Sequence, residues 1–161
     1  MADLVKRPAV GVARRAVSAK GPVREFLAVL LADELYGLEL TRIREILSPP
    51  PLTPVPRAPA EVIGVCSVRG LLVTVLDLRR KLHVPETPPT RRARILLVQS
   101  DWGEVVGLLV DEVRQVMRLS ETEIEIATSV LGGDVSEHVL GIGRPGNQVL
   151  ILLNLGSIVT R

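Results

Sequence analysis

Few residues of this chain have the type and spacing that chemistry needs. The pattern 141-GIGRPG-146 matches G-x-G-x-x-G, which wraps a dinucleotide pyrophosphate when it follows a strand and opens a helix. Here Pro145-Gly146-Asn147 reads as a turn and the next segment, VLILLN, as a strand, so the pattern predicts a hairpin. His83 and His138 are the only two histidines; both fall in polar connecting segments, and neither has a metal-ligand spacing to Cys, Asp or Glu. Asp111-Glu112 ends an apolar run. Adjacent carboxylates in a strand face opposite ways, so the pair reads as a solvated turn rather than an acid–base dyad. The run 121-ETEIE-125 reads as a solvated acidic loop. Cys66 is the only cysteine, which excludes an internal disulfide or a cysteine metal site; its apolar neighbours predict a small core residue. No G-x-S-x-G and no P-loop occurs. The expectation is a non-catalytic chain with no metal and no cofactor.

The elements that would position any site are apolar and short. Hydrophobic residues make up 47% of the 161 and aromatics 2% (Phe26, Tyr36, Trp102), so the interior must be Val, Leu and Ile, which favours strands. The apolar excess means either little exposed surface or apolar surface awaiting a partner. A net charge of +2 hides an asymmetry: residues 1–24 carry six basic residues against one acidic, and the remainder 14 against 17. A basic arm can serve nucleic acid or anionic lipid, but six scattered charges make no dense cluster, and residues 1–22, without periodicity, are expected to form a disordered, solvated arm. An acidic, aromatic-poor body argues against nucleic-acid binding. No signal-peptide pattern and no stretch of membrane-span length appears, so the expected location is cytoplasmic, without membrane insertion.

From Arg24 the pattern is strand-like. The runs 25-EFLAVLLA-32 and 35-LYGLEL-40 flank a tight turn, and 41-TRIREIL-47 puts Ile43, Ile46 and Leu47 on one helical face behind Thr41 as N-cap. Six prolines in 48–60 stiffen the next connection. The segments 62-VIGVCSV-68 and 71-LLVTVL-76 meet at Arg69-Gly70, where Gly70 suits a positive φ, and 77-DLRRKL-82 reads as a helical turn capped by Asp77. After the polar, proline-rich 84-VPETPPTRRAR-94 come strands at 94–100, 104–110 and 113–119, a polar loop over 120–138, a hairpin at 139–154 and a short helix at 155–159. About nine short strands without βα alternation predict a mainly all-β chain. The two proline-marked breaks predict two small barrels packed together, the first about 24–83, a connection 84–93 and the second about 94–161.

Four stretches, in order, carry a resemblance. The segment 25-EFLAVLLADELYGLELTRIREI-46 is similar to E-F-L-x-F…Y-G-I-D-I…V-x-E-I, and 53-TPVPRAPAEVIGVCSVRGLLVTVLDLR-79 to a proline-rich stretch followed by G-V-x-N-L-R-G-x-x-x-P-V-x-D-L-R. The segment 106-VGLLVDEVRQV-116 is similar to V-G-L-x-V-D-x-V-x-x-V, and 139-VLGIGRPGNQVLILLNL-155 to a closing Y-x-x-G-x-G…L-I-L-L-N/D-L. These are the motifs of the CheW-like chemotaxis coupling proteins, and the resemblance spans about residues 24–159. It implies two five-stranded SH3-like barrels with a strand exchanged between them. It also implies an adaptor between the regulatory domain of a CheA-type histidine kinase and the cytoplasmic tip of methyl-accepting chemoreceptors, in rings at receptor arrays. The alternative it leaves is a divergent scaffold that binds only one of the two partners.

Carried over by position, the resemblance assigns receptor binding to Ile43, Glu45, Arg69, Val113 and Val116, and kinase binding or turn shaping to Gly64, Gly70 and Gly107. For Arg69 an internal pair with Asp77 or Glu45 stands beside the interface role. For Ile43, Val113 and Val116 core packing does. Ser67-Val68 replaces the family's Asn-Leu, and Thr74 its proline.

Overall fold

The computed structural model describes residues 17–18, 21–126 and 137–159; most of the basic arm and residues 127–136 of the predicted 120–138 loop lie outside them. In chain order the strands are β1 (Val17–Ser18), β2 (Gly21–Leu31), β3 (Glu34–Glu39), β4 (Ile43–Leu47), β5 (Val62–Val68), β6 (Leu71–Asp77), β7 (Arg94–Gln99), β8 (Val105–Val110), β9 (Glu112–Ser120), β10 (Ile124–Ile126), β11 (Val139–Gly143) and β12 (Leu150–Leu153). Helix α1 (Leu78–Leu82) follows β6, capped by the Asp77 side chain, and α2 (Leu155–Ile158) follows β12.

The strands make two sheets. One runs β1-β2-β3-β12-β11-β10 with β9 also on β2; the other runs β4-β7-β8-β6-β5. Each surrounds a core of its own, as two barrels require; the first sheet has seven strands, two of them only two and three residues long, and the second has the expected five. They do not divide the chain at 84–93. Barrel one is built from both ends of the chain, 17–39 with 112–153, and barrel two, 43–110, is contiguous between them. The expected halves, 24–83 and 94–161, therefore trade segments. Alternation marks which residues form strands but not which strands pair: β7 and β8 find β4 and, in parallel, β6, while β12 lies parallel to β3.

The segment 41–47 is a second correction. Only Leu40–Arg42 make a 3₁₀ turn, and Ile43–Leu47 extend along β7. Two isoleucines beside an unpaired strand edge favour the ladder over a two-turn helix, which is marginal alone. Within the predicted polar loop, Glu121–Glu123 form a 3₁₀ turn closed by a Ser120–Glu123 capping box, before β10.

Three clusters form the core. Phe26, Ala28, Met117, Leu119, Leu150 and Leu152 fill barrel one. Cys66, Val73, Val75, Ile95 and Leu97 fill barrel two. The intervening residues of the same strands, among them Leu27, Val29, Leu96, Val98 and Leu108, meet in a third cluster between the barrels. Strands buried on both faces read as unbroken apolar runs. Much of the apolar excess is therefore spent inside the chain, where the composition alone also allowed a waiting partner.

A polar network crosses this apolar junction. The Arg79 guanidinium, buried on α1, donates to both Asp77 carboxylate oxygens (3.1 and 2.9 Å), to the Thr87 carbonyl (2.9 Å) and to Asp111 (3.0 Å). Asp111 in turn accepts from the Ala32 backbone N–H at 2.9 Å, in the β2–β3 turn of barrel one. Asp111 is thus no solvated turn residue. Ala32 and Asp33 hold φ of 49° and 69°, the left-handed pair of a two-residue hairpin, which alanine adopts only under constraint.

Arg79→Ala leaves two carboxylates in poorly solvated sites and is expected to cost about 3–5 kcal/mol, lowering Tm by roughly 10 °C in a calorimetric scan. Ala32→Gly relieves the left-handed strain and is expected to stabilise by about 1 kcal/mol in urea unfolding.

Candidate functional site

The residues singled out from the sequence cluster first at the β5–β6 hairpin. Val68 pairs with Leu71, and Arg69 (φ 50°) and Gly70 (φ 82°) form a two-residue turn with both φ positive. A Cβ on Gly70 would meet nothing, so only its dihedral calls for glycine. Arg69 pays the left-handed cost that Gly70 avoids, and its side chain is anchored by a fork. Its two terminal nitrogens donate to the two carboxylate oxygens of Glu45 at 2.6 and 2.5 Å. Glu45 lies on β4 and Arg69 beyond β5, the two ends of the strand order of barrel two, so the fork spans that barrel's seam. Of the two internal partners open to Arg69, the structure selects Glu45; Asp77 is held by Arg79. The hydrogen bonds from Arg69 hold the Glu45 carboxyl below the usual range and raise the guanidinium in return.

Ile43 and Val113 are half-buried against the core between the barrels, one on β4 and one on β9. Val116 is 43% exposed. In a regular strand residues three apart face opposite ways, but β9 bulges: Val113 lies opposite Val29 and Val116 opposite Leu27. Leu27 and Val29 share a face, so the bulge turns Val113 and Val116 the same way, one into the junction and one beyond it.

Gly64 and Gly107 are buried in barrel two. A Cβ on Gly64 would come within 2.8 Å of the Thr53 carbonyl oxygen, where the proline-rich segment bridges to Val65. One on Gly107 would come within 2.9 Å of Ile95 Cγ2 and 3.2 Å of Val75 Cγ2. Both are positions of close backbone approach inside the barrel.

Leu71 and Leu72, directly after the turn, are 65% and 75% exposed, and Trp102 in the β7–β8 turn is 73% exposed. The signal for the leucines was the doublet after Arg69-Gly70, which breaks the alternation of β6. Ser67 sits opposite Leu72 in the ladder and is exposed as well.

Among the described residues no catalytic arrangement emerges. The glycine pattern is the β11–β12 hairpin, with Gly141 and Gly143 admitting the Glu125 carbonyl and the Leu119 side chain closely. His138 Nδ1 lies 2.9 Å from Ser157 Oγ, but that hydroxyl donates its one proton to the Asn154 carbonyl, so the imidazole is the donor and cannot serve as its base. Burial lowers the His138 pKa. Among the described residues no group of three His, Cys, Asp or Glu could hold a metal ion, and no helix is long and apolar enough to cross a membrane.

Comparison with known proteins gives a consistent picture. The CheW-like domain profile matches residues 25–161. The chain is 35% identical over 149 residues to protein FrzA of Myxococcus xanthus, covering 90% of this chain and 91% of FrzA. It is 30% identical over 135 residues to chemotaxis protein CheW of Rhizobium meliloti, covering 84% and 86%. The crystal structure of the scaffolding protein TtCheW from Thermoanaerobacter tengcongensis superimposes with a TM-score of 0.78 at 27% identity, covering 86% of this chain and 93% of that one.

A depressed carboxyl pKa contributes stability that is present above the unfolded value, about 4.3 for Glu, and is lost as pH falls through the folded value. Carboxyl NMR titration is expected to place Glu45 below that value in the wild type and to return it there in Arg69→Ala. The Tm difference between the two proteins is expected to vanish at acid pH.

Proposed function

The chain belongs to the CheW-like domain family, and from that membership we propose that it is a non-catalytic adaptor coupling chemoreceptors to a CheA-type histidine kinase in chemotaxis or motility signalling. In this reading it works in the cytoplasm at receptor arrays. Its partners are the cytoplasmic tip of a methyl-accepting chemoreceptor and the kinase regulatory domain, with which it assembles into rings. The observation that carries the reading is the Arg69–Glu45 fork: a charged, anchored hairpin tip exposed beside Leu71 and Leu72.

Glu45 occupies two of the five N–H donors of Arg69, and the others remain available to a partner carboxylate or carbonyl. The fork holds the guanidinium in one place before binding, which reduces the ordering cost of the contact. Leu71, Leu72 and Val116 supply apolar area of the kind buried at interface centres. Ile43 and Val113 lie at the junction, where a receptor segment would read the relative placement of the barrels. An adaptor needs these surfaces and no reactive group.

The test is autophosphorylation of a CheA-type kinase with a receptor signalling fragment, with and without this chain. The expected result is that receptor control of the kinase requires the chain. Arg69→Ala and Val116→Asp, still folded, should weaken receptor binding about tenfold or more, roughly 1.4 kcal/mol. Kinase binding without any coupling to receptor would favour the one-partner scaffold instead. Coupling left intact by both substitutions would refute the assignment of these residues.

A further inference from the structure

One strained arginine of barrel two has no partner among the described residues. In the proline-rich connection 48–60, Val55-Pro56-Arg57-Ala58 make a turn in which the Ala58 N–H donates to the Val55 carbonyl at 3.4 Å. Proline suits the second position of such a turn. The third, where φ is positive, calls for glycine, and here it is Arg57 with φ 63°. Other strained side chains are held from within. The Ala32 N–H donates to Asp111, Arg69 forks onto Glu45, and His83 closes α1. Among the described residues, every arginine side chain except those of Arg57 and Arg91 bonds to an acceptor of this chain.

The turn is exposed and braced at both feet. At one foot the Thr53 N–H and carbonyl both bond to Val65 at 2.9 Å. At the other the Ala60 carbonyl accepts from Arg80 at 3.1 Å, and the Glu61 carbonyl from the Asp77 N–H at 2.8 Å. Pro54, Pro56 and Pro59 remove much of the remaining backbone freedom. Between the feet Pro54, Pro56 and Arg57 are exposed, and Val55 is 40% exposed. A rigid tip of this kind meets a partner at low ordering cost, and strain that no internal bond explains is characteristic of binding positions.

The surroundings specify the chemistry. Arg80 also reaches Glu86 at 3.2 Å, which joins this connection to the second proline-rich one, 84–93. That second connection carries Arg91, which shares a recess with Asp33 without pairing to it. The carboxylates beside the turn are engaged: Glu61 with Lys81, Asp77 with Arg79 and Glu86 with Arg80. What this end of barrel two offers is an unpaired guanidinium next to a valine, complementary to a carboxylate beside a small apolar residue. It is the end where β6 runs into α1, opposite the Arg69-Gly70 turn, and the seven residues of β5 put roughly 20 Å between the two. A partner held at Arg69 leaves it uncovered. We propose that Arg57 is a docking residue for the kinase regulatory domain, its guanidinium meeting a carboxylate of that domain and Val55 an apolar contact. The proposal rests on the adaptor reading above.

The test measures binding of the full chain to the kinase regulatory domain and, separately, to the receptor signalling fragment by titration calorimetry. Arg57→Gly removes the guanidinium and the strain together. Kinase binding is expected to weaken about tenfold, receptor binding to stay unchanged, and Tm to rise by roughly 2 °C. A more stable fold with a weaker complex is a result that a merely structural role for Arg57 would not produce. Wild-type kinase affinity in Arg57→Gly, an equal loss for both partners, or a fall in Tm would each overturn the assignment while leaving the adaptor reading in place. Failure of the wild-type chain to bind the kinase domain at all would instead refute the adaptor reading, and the assignment with it.

Discussion

One buried guanidinium organises the polar contacts at the junction of the two barrels. Apolar contact between them is extensive but non-directional, and it would tolerate small slides and rotations. Arg79 is directional. Its planar fork reaches Asp77 at the end of barrel two, Asp111 at the crossing into β9 and the Thr87 carbonyl in the proline-rich connection. Asp111 extends the chain of bonds to Ala32 in barrel one. A buried ion pair is weak evidence of net stability, since desolvation offsets much of its attraction. Its contribution here is one of registry: three stretches distant in sequence, around residues 32, 77–87 and 111, satisfy one another's polar groups only when the barrels sit one way.

That arrangement governs the rest of the surface. Ile43 of β4 and Val113 of β9, from different barrels, pack against the same core between them. The bulge in β9 then decides that Val116 projects on the same side as Val113. The Arg69–Glu45 fork does a comparable job within barrel two, tying the hairpin tip to the far strand of the sheet. Close approach at Gly37 and Gly107 repeats the theme, each glycine lying on a strand paired in parallel and facing branched interior side chains.

Much of the fold was legible in the sequence because strands and turns are local. Arg69-Gly70 announced its turn, Asp77 its cap, and Pro145-Gly146-Asn147 the hairpin that disposed of a dinucleotide reading. Pairing was not legible, because β6 meets β8 and β3 meets β12 through contacts that no local pattern encodes. The segment 41–47 read as helix because Ile43, Ile46 and Leu47 fit a 3.6 period, while the partner that made it a strand lay some fifty residues on. Asp111 looked solvated for a similar reason: its partners, Arg79 and the Ala32 N–H, are remote in sequence. Of the site residues, Glu45 and Arg69 were nameable singly, but their fork was only one of two internal pairings the sequence allowed.

The nesting of barrel two inside barrel one sets an order of events during synthesis. Residues 43–110 can complete their own sheet as soon as they clear the ribosome. β2 and β3 cannot, since their neighbours β9 and β12 are still unmade. At about 5–20 residues per second, the hundred or so residues between β3 and β12 take roughly 5–25 s to appear. Through that interval the apolar stretch 26-FLAVLL-31 has no finished barrel to join. The strand most deeply shared between the cores is thus also the one longest in need of a chaperone or of temporary shelter against barrel two.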